Sequence, residues 1–197
     1  MLTKTQSKIM EIFVSKINEK FSIKQISEIV KKAYPLVHRS IKNLIDNQFI
    51  IKDKQKFLSL NYKENRLELA YIESLRTKEF LKKNKTIALF IKDVLEMIRG
   101  DYFTFLIFGS CVSKQKPRDI DILFILEDKN KIGSLEKIFH NIASNFSLKF
   151  DINIISVESV YEMLFKRDQV NIINETLNNH ILIFGAENYY RLLKNAR

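Results

Sequence analysis

Two aspartates one residue apart, Asp119 and Asp121 in the run RDIDILFIL, are the side chains of this sequence best placed to do chemistry. A period of two puts both carboxylates on one face of a strand predicted over Arg118 to Leu126 and sends Ile120 and Ile122 to the opposite, packed face. Like charges at this spacing repel, and carboxylates in an apolar strand lose hydration, so the fold must compensate them. A divalent cation is a common compensator. Oxygen donors suit Mg2+, which takes one or two carboxylates together with substrate phosphates. Upstream, the apolar run Phe103 to Phe108 stops at Gly109-Ser110. Glycine allows close backbone approach there, and Ser110 with nearby backbone N–H groups can meet phosphate oxygens. Ser113 opens the loop that follows, and Lys114, Lys116 and Arg118 bring positive charge to it. The plainer reading of the same residues is a salt bridge from Asp121 to Arg118 or a lysine, with Asp119 at a strand edge.

Holding these groups requires strand, turn and strand, with further elements to bury their far sides. In LKFDINIIS, Asp151 and Asn153 share one strand face and Ile152 and Ile154 the other, and a helix from about Ser134 to Asn145 separates this strand from the first pair. Ile87, Phe90, Ile91, Val94, Leu95 and Ile98 mark a core helix ending near Gly100. The nearly heptad-spaced Leu67, Ala70, Tyr71, Ser74, Leu75 and Lys78 suggest a connector or dimer helix before it. HILIFGAENYYRLLKNA reads as strand, glycine and helix. No histidine lies near Cys111 in sequence, so a thiol nucleophile has no evident base.

The Gly109-Ser110 turn, the loop and Asp119-x-Asp121 between two strands resemble the polymerase-β-type nucleotidyltransferase superfamily, particularly its minimal prokaryotic members, over roughly residues 87 to 193. The resemblance implies a mixed β-sheet flanked by helices and two-metal transfer of a nucleoside monophosphate from a nucleoside triphosphate to a hydroxyl acceptor. It assigns Asp119 and Asp121 to two Mg2+ ions, with Mn2+ as a substitute, and makes Asp151 a ligand of one ion and activator of the acceptor hydroxyl. Gly109 and Ser110 would hold the triphosphate, with Ser113, Lys114 and Arg118 beside it. Two departures stand out. The loop from Ser110 to Asp119 is shorter than is usual there, and Arg118 stands where a serine is frequent.

The charge lies elsewhere. Of the formal +10, residues 1 to 60 carry +7, from twelve Lys and Arg against five acids, and the other 137 residues carry +3. Clustered positive charge on one module is the footprint of nucleic-acid binding. Ile9, Ile12, Phe13 and Ile17 predict a helix ending near Phe21. Ser22 with Gln25 has the form of a capping box for a short second helix with Ile23, Ile26, Ile29 and Val30 as its stripe. Pro35 suits the first helical position of a third helix, with Val37, Ile41, Leu44 and Ile45 inward. Ile50-Ile51 and Phe57 to Leu60 flank a basic turn, Asp53 to Lys56. Residues 3 to 62 resemble the winged helix-turn-helix superfamily. That resemblance implies that His38, Arg39, Ser40 and Lys42 face bases or backbone of DNA or RNA and that Lys54 and Lys56 lie on the wing. A small helical domain with merely solvated lysines, or a winged helix used for protein contacts, is the alternative.

A chain of 197 residues with 46% hydrophobic and 28% charged residues suits two small α+β units and excludes disordered and low-complexity classes. We expect a winged helix at 1–62, a helical connector at 63–86 and a nucleotidyltransferase domain at 87–197. One cysteine, no apolar run of membrane-spanning length and no signal-like start lead us to expect a soluble cytoplasmic protein. A domain of this size does not enclose an acceptor alone, so the winged helix, a second subunit as in a homodimer, or a toxin-like protein partner would complete the cleft. The rival expectation is a DNA-binding regulator or antitoxin whose second domain senses nucleotide without transfer.

Overall fold

The computed structural model describes residues 2–98, 102–113, 118–166 and 171–196. Lys114, Lys116 and Gly100, invoked above, lie outside the described residues.

The chain enters helix α1 (Lys4–Ser15) through a capping box: the Thr3 hydroxyl accepts from the Gln6 N–H, and the Gln6 side chain accepts from the Thr3 N–H. The helix stops at Ser15 instead of continuing toward Phe21, because bonds from outside take over the backbone. The Ile17 N–H donates to the Leu177 carbonyl at 2.8 Å, the Asn18 N–H to Asn178 Oδ1 at 3.0 Å, and Phe21 forms a bridge with Leu58. Helix α2 (Ile23–Val30) starts with the expected Ser22–Gln25 box. Its buried stripe is narrower than expected, since Ile26 is buried but Ile29 is exposed. Helix α3 (Tyr34–Asp46) carries Pro35 in its first turn and turns Val37, Ile41 and Leu44 inward. Strands β1 (Ile50–Lys52) and β2 (Leu58–Leu60) form an antiparallel hairpin with Ile50 opposite Leu60. Asp53 organises its turn, accepting from the Gln55 and Phe57 N–H groups while pairing with Lys20 at 2.9 Å.

The rest of the chain runs α4 (Arg66–Lys83), α5 (Lys85–Met97), β3 (Phe103–Phe108), α6 (Ser110–Ser113), β4 (Ile120–Leu126), α7 (Ile132–Ala143), β5 (Phe150–Ser156), α8 (Val157–Phe165), α9 (Ile172–Thr176), β6 (His180–Phe184) and α10 (Ala186–Asn195). The four strands form a mixed sheet in the order β5-β4-β3-β6, with β4–β5 parallel and the other pairs antiparallel. This is an α+β architecture, with N-terminal helices and a small hairpin followed by a mixed sheet flanked by helices.

Alternation along β4 divides the core. Ile120, Ile122 and Phe124 join a cluster with Ile87, Phe90 and Val94 of α5 and Phe139 of α7. Leu123 and Ile125 face the other way, with Leu106, Phe108 and Leu182, into a cluster that also takes in Val160, Tyr189 and Tyr190. That second cluster continues through Leu69 and Ile72 to Phe13, Ile41 and Leu58, so the N-terminal helices and one face of the sheet share an apolar core. Each such side chain withdrawn from water contributes about 1.5–3 kcal/mol, which couples the two parts of the chain.

Helix α4 differs most from expectation. Leu67 (67% exposed) and Tyr71 (53% exposed) point to solvent, whereas Leu69, Ile72, Glu73 and Thr77 are buried. Polar residues occupy its inward face because α4 lies along the outer edge of β6, where backbone carbonyls need donors. Arg76 Nη2 donates to the His180 carbonyl and Thr77 Oγ1 to the Leu182 carbonyl, each at 2.6 Å. Glu73 is the hub beside them, accepting from Arg76 Nη1 at 2.5 Å, the Tyr190 hydroxyl at 2.8 Å and His180 Nε2 at 3.1 Å. His180 Nδ1 lies 2.5 Å from the Thr176 carbonyl. An apolar stripe cannot reveal a helix whose inward face is built from Glu, Arg and Thr. Among the described residues, no helix is long and apolar enough to cross a membrane.

Candidate functional site

One end of the sheet gathers the acids. β4 begins at Ile120, two residues later than predicted, so Arg118 and Asp119 lie in a bend just before it and Asp121 is inside the strand. Asp121 is the register partner of Asp151 on parallel β5 and of Phe108 on antiparallel β3. Ile120 and Ile122 are buried on the opposite face, as the alternation requires. Asp119 and Asp121 are half-buried, and Asp151 and Arg118 are exposed.

Gly109 follows β3 at φ 71°, in the left-handed region, and a Cβ at this position would collide with the Asp121 carboxylate. Glycine is favoured there by conformation, and a larger residue would have to displace the Asp121 carboxylate. The Ser110 backbone N–H favours the charged form of the Asp121 carboxylate. Ser113 Oγ turns back to the Ser110 carbonyl at 3.3 Å, and Ser113 is exposed. The turn is pinned from its other side by Asn179, whose Nδ2 donates to the Gly109 carbonyl at 2.6 Å while its own carbonyl accepts from the Gly109 N–H at 3.3 Å.

The electrostatics follow from this crowding. Burial, then the charges of Asp119, Asp151 and Glu175, push the Asp121 carboxyl above the usual aspartate range, against a smaller opposing effect of the Ser110 N–H. Among the described residues, none of Asp119, Asp121 and Asp151 has a salt-bridged cation. Cys111 is buried next to the turn, and burial followed by the Asp121 charge pushes its thiol up to about 12. It is no thiolate nucleophile.

Glu175 and Asn179 were not anticipated from sequence. Both belong to the segment around α9, whose start is set by the Asn171 side chain accepting from the Asn174 N–H. An Asn immediately ahead of the helix is the available sequence signal, but so short a helix has no apolar periodicity to support it.

Oxygen-only donors, mutual repulsion and the lack of a counter-cation among the described residues suit a hard divalent ion. Among the described residues, no group of three or more His, Cys, Asp or Glu side chains is gathered closely enough to hold a metal by itself. An ion at these carboxylates would have to complete its shell with oxygens from outside this group.

The basic surface lies on α3 and the hairpin. His38, Arg39 and Lys42 are exposed on α3, and Lys54 and Lys56 are exposed in the turn between β1 and β2. The Tyr34 and His38 rings lie 6.1 Å apart at the start of α3. Ser40 departs from expectation. At 9% exposure it sits on the packed side with Val37, Ile41 and Leu44, where helical periodicity puts it one residue before Ile41.

No protein-family model, no characterised protein and no solved structure matches this chain.

Proposed function

We propose that the chain is a Mg2+-dependent nucleotidyltransferase, moving a nucleoside monophosphate from a nucleoside triphosphate to a hydroxyl of an RNA, a protein or a small molecule. The observation that carries this reading is the in-register placement of Asp121 and Asp151 on adjacent strands, directly beside the Gly109 turn. Divalent ions held by Asp119, Asp121 and Asp151 would offset charge on the attacking and leaving oxygens. Asp151, the most exposed of the three, is suited to take the proton of the acceptor hydroxyl as its oxygen bonds to the α-phosphorus. The bond from that phosphorus to pyrophosphate breaks, and pyrophosphate leaves with its electron pair. Gly109 and Ser110, with Ser113 and Arg118 nearby, would position the triphosphate. Lys114 stands in the same proposed set from sequence alone. The exposed Arg39, Lys42, Lys54, Lys56 and His38 would bring the protein to DNA or RNA through backbone contacts.

The test is pyrophosphate release, or transfer of label from an α-labelled nucleotide, by purified protein with Mg2+ or Mn2+. Asp119→Asn, Asp121→Asn and Asp151→Asn should each abolish it. One observation favours a second reading, a DNA-binding regulator or antitoxin that binds nucleotide without transfer: no ready-made group of three metal-ligating side chains occurs among the described residues. Tight nucleotide binding with no turnover on any RNA, protein or small-molecule acceptor would select it.

A further inference from the structure

A cleft of about 490 Å3 lies between α4 and α6, walled by Phe80, Lys83 and Asn84 on one side and Cys111 and Ser113 on the other. Its volume is in the range of small-ligand sites, roughly 300–1,000 Å3. It adjoins the Gly109 turn: Ser110 begins the short helix whose later residues form the cleft wall. The cleft thus opens within one helical turn of the proposed phosphate turn.

The chemistry of the wall indicates the kind of group it suits. The two cations among its described lining residues, Arg76 and Lys83, are already engaged. Arg76 gives one Nη to Glu73 and the other to the His180 carbonyl, and Lys83 pairs with Glu79 at 2.6 Å. A bare anion gains little from cations so neutralised. Phe80, half-buried, supplies an aromatic ring, and Asn84 supplies an amide. Asn84 Nδ2 donates to the Phe80 carbonyl at 2.9 Å, which fixes the amide plane, while among the described residues no group donates to its Oδ1. An aromatic ring beside an oriented, open acceptor suits a flat, uncharged group that carries an N–H.

Building on the nucleotidyltransferase reading, we propose that the α4–α6 cleft receives the nucleobase of the triphosphate, with Phe80 as its stacking surface and Asn84 Oδ1 accepting from a base amino group. The helix that precedes the sheet, and not the sheet itself, then selects the base. Adenine, cytosine and guanine offer an exocyclic amine to that acceptor, whereas uracil offers only a ring N3–H flanked by two carbonyl oxygens that repel the Asn84 oxygen, so uridine triphosphate is disfavoured.

The experiment measures affinities of the full chain for Mg2+ complexes of ATP, CTP, GTP, UTP and tripolyphosphate by calorimetry. It compares the wild type with Phe80→Ala, Phe80→Leu and Asn84→Ala, each checked for an unchanged melting transition. The expected result is an approximately ten-fold or greater loss of ATP affinity in Phe80→Ala, the order of a lost base–aromatic stack, with tripolyphosphate binding unchanged. The wild type should bind UTP more weakly than ATP, and Asn84→Ala should erase that difference. If Phe80→Ala fails to fold, Phe80→Leu and Asn84→Ala carry the same comparison. Equal affinities for ATP and tripolyphosphate, or ATP affinity unaltered in the variants, would overturn the inference while leaving the phosphate turn intact. Variants that keep ATP affinity yet lose transfer assign the cleft to the acceptor and also overturn it. Absent tripolyphosphate binding counts instead against the parent reading. In that case adenosine decides the inference: a chemical-shift change at the Asn84 side-chain amide supports it, and no change refutes it.

Discussion

Asp121 and Asp151 face each other across the parallel β4–β5 ladder, with Gly109 close against the first of them. Folding brings these charges together, and nothing among the described residues neutralises Asp121 by ion pairing. Because its carboxyl titrates higher in the folded chain than in the unfolded one, stability linked to it is fully present at acid pH and is lost as pH rises through the raised value. Asp121→Asn in EDTA at neutral pH should therefore melt about one to two degrees above the wild type. The difference should vanish well below the ordinary aspartate range, and transfer activity should fall at least ~100-fold. Scanning fluorimetry at both pH values checks the stability arm; a lower neutral-pH midpoint contradicts it.

Gly109→Ala meets two penalties, a positive φ and a collision with the Asp121 carboxylate. A loss of about 1–3 kcal/mol in urea unfolding is expected, together with weaker nucleotide binding. Wild-type stability in the variant would show that the turn has room the geometry denies it.

Glu73 is enclosed. Burial pushes its carboxyl up, but the charges of Arg76 and His180 and the bonds from His180 and Tyr190 outweigh this and hold it below the ordinary glutamate range. Stability linked to it is present above its unfolded value and is lost as pH falls through the depressed one. Glu73→Gln strands Arg76 in the interior and should cost about 3–5 kcal/mol at neutral pH, with the deficit shrinking on acidification. Tyr190→Phe removes one bond and should cost about 1 kcal/mol. Parallel pH curves for wild type and Glu73→Gln would contradict the assignment.

For nucleic acid, Arg39→Ala, Lys42→Ala, Lys54→Ala and Lys56→Ala should each weaken binding and flatten the log–log salt dependence, by about one per lost phosphate contact. Ser40→Ala, on the packed side of α3, should leave binding unchanged. A steep salt slope that survives the quadruple variant would place the interface elsewhere on the chain.

The sequence was most informative where spacing alone determines facing. Alternation around Asp119, Asp121 and Asp151 predicted the burial of Ile120, Ile122 and Ile154, though Ile152 is only half-buried, and the Ser22–Gln25 box and Pro35 marked the starts of α2 and α3. It was least informative where distant chain segments decide. Leu177 and Asn178 capture the residues after Ser15 and end α1 early. The inward face of α4 was misread because its partners, the His180 and Leu182 carbonyls, lie about a hundred residues away. Glu175 and Asn179 belong to a short helix with too little periodicity to announce itself. Ser40 shows the opposite error, a side chain turned toward nucleic acid by resemblance alone when its helical phase places it inward.

The cover that α4 gives β6 bears on how the chain can be divided. A fragment starting at residue 87 keeps the strands but loses Arg76 and Thr77, the donors that occupy the β6 carbonyls, and Leu69 and Ile72, which roof the sheet. What remains is an open ladder edge beside bare apolar surface, the combination that recruits a second copy strand to strand. The α4 helix thus covers an edge that would otherwise be a template for strand pairing, and the two halves of the chain are not interchangeable cassettes.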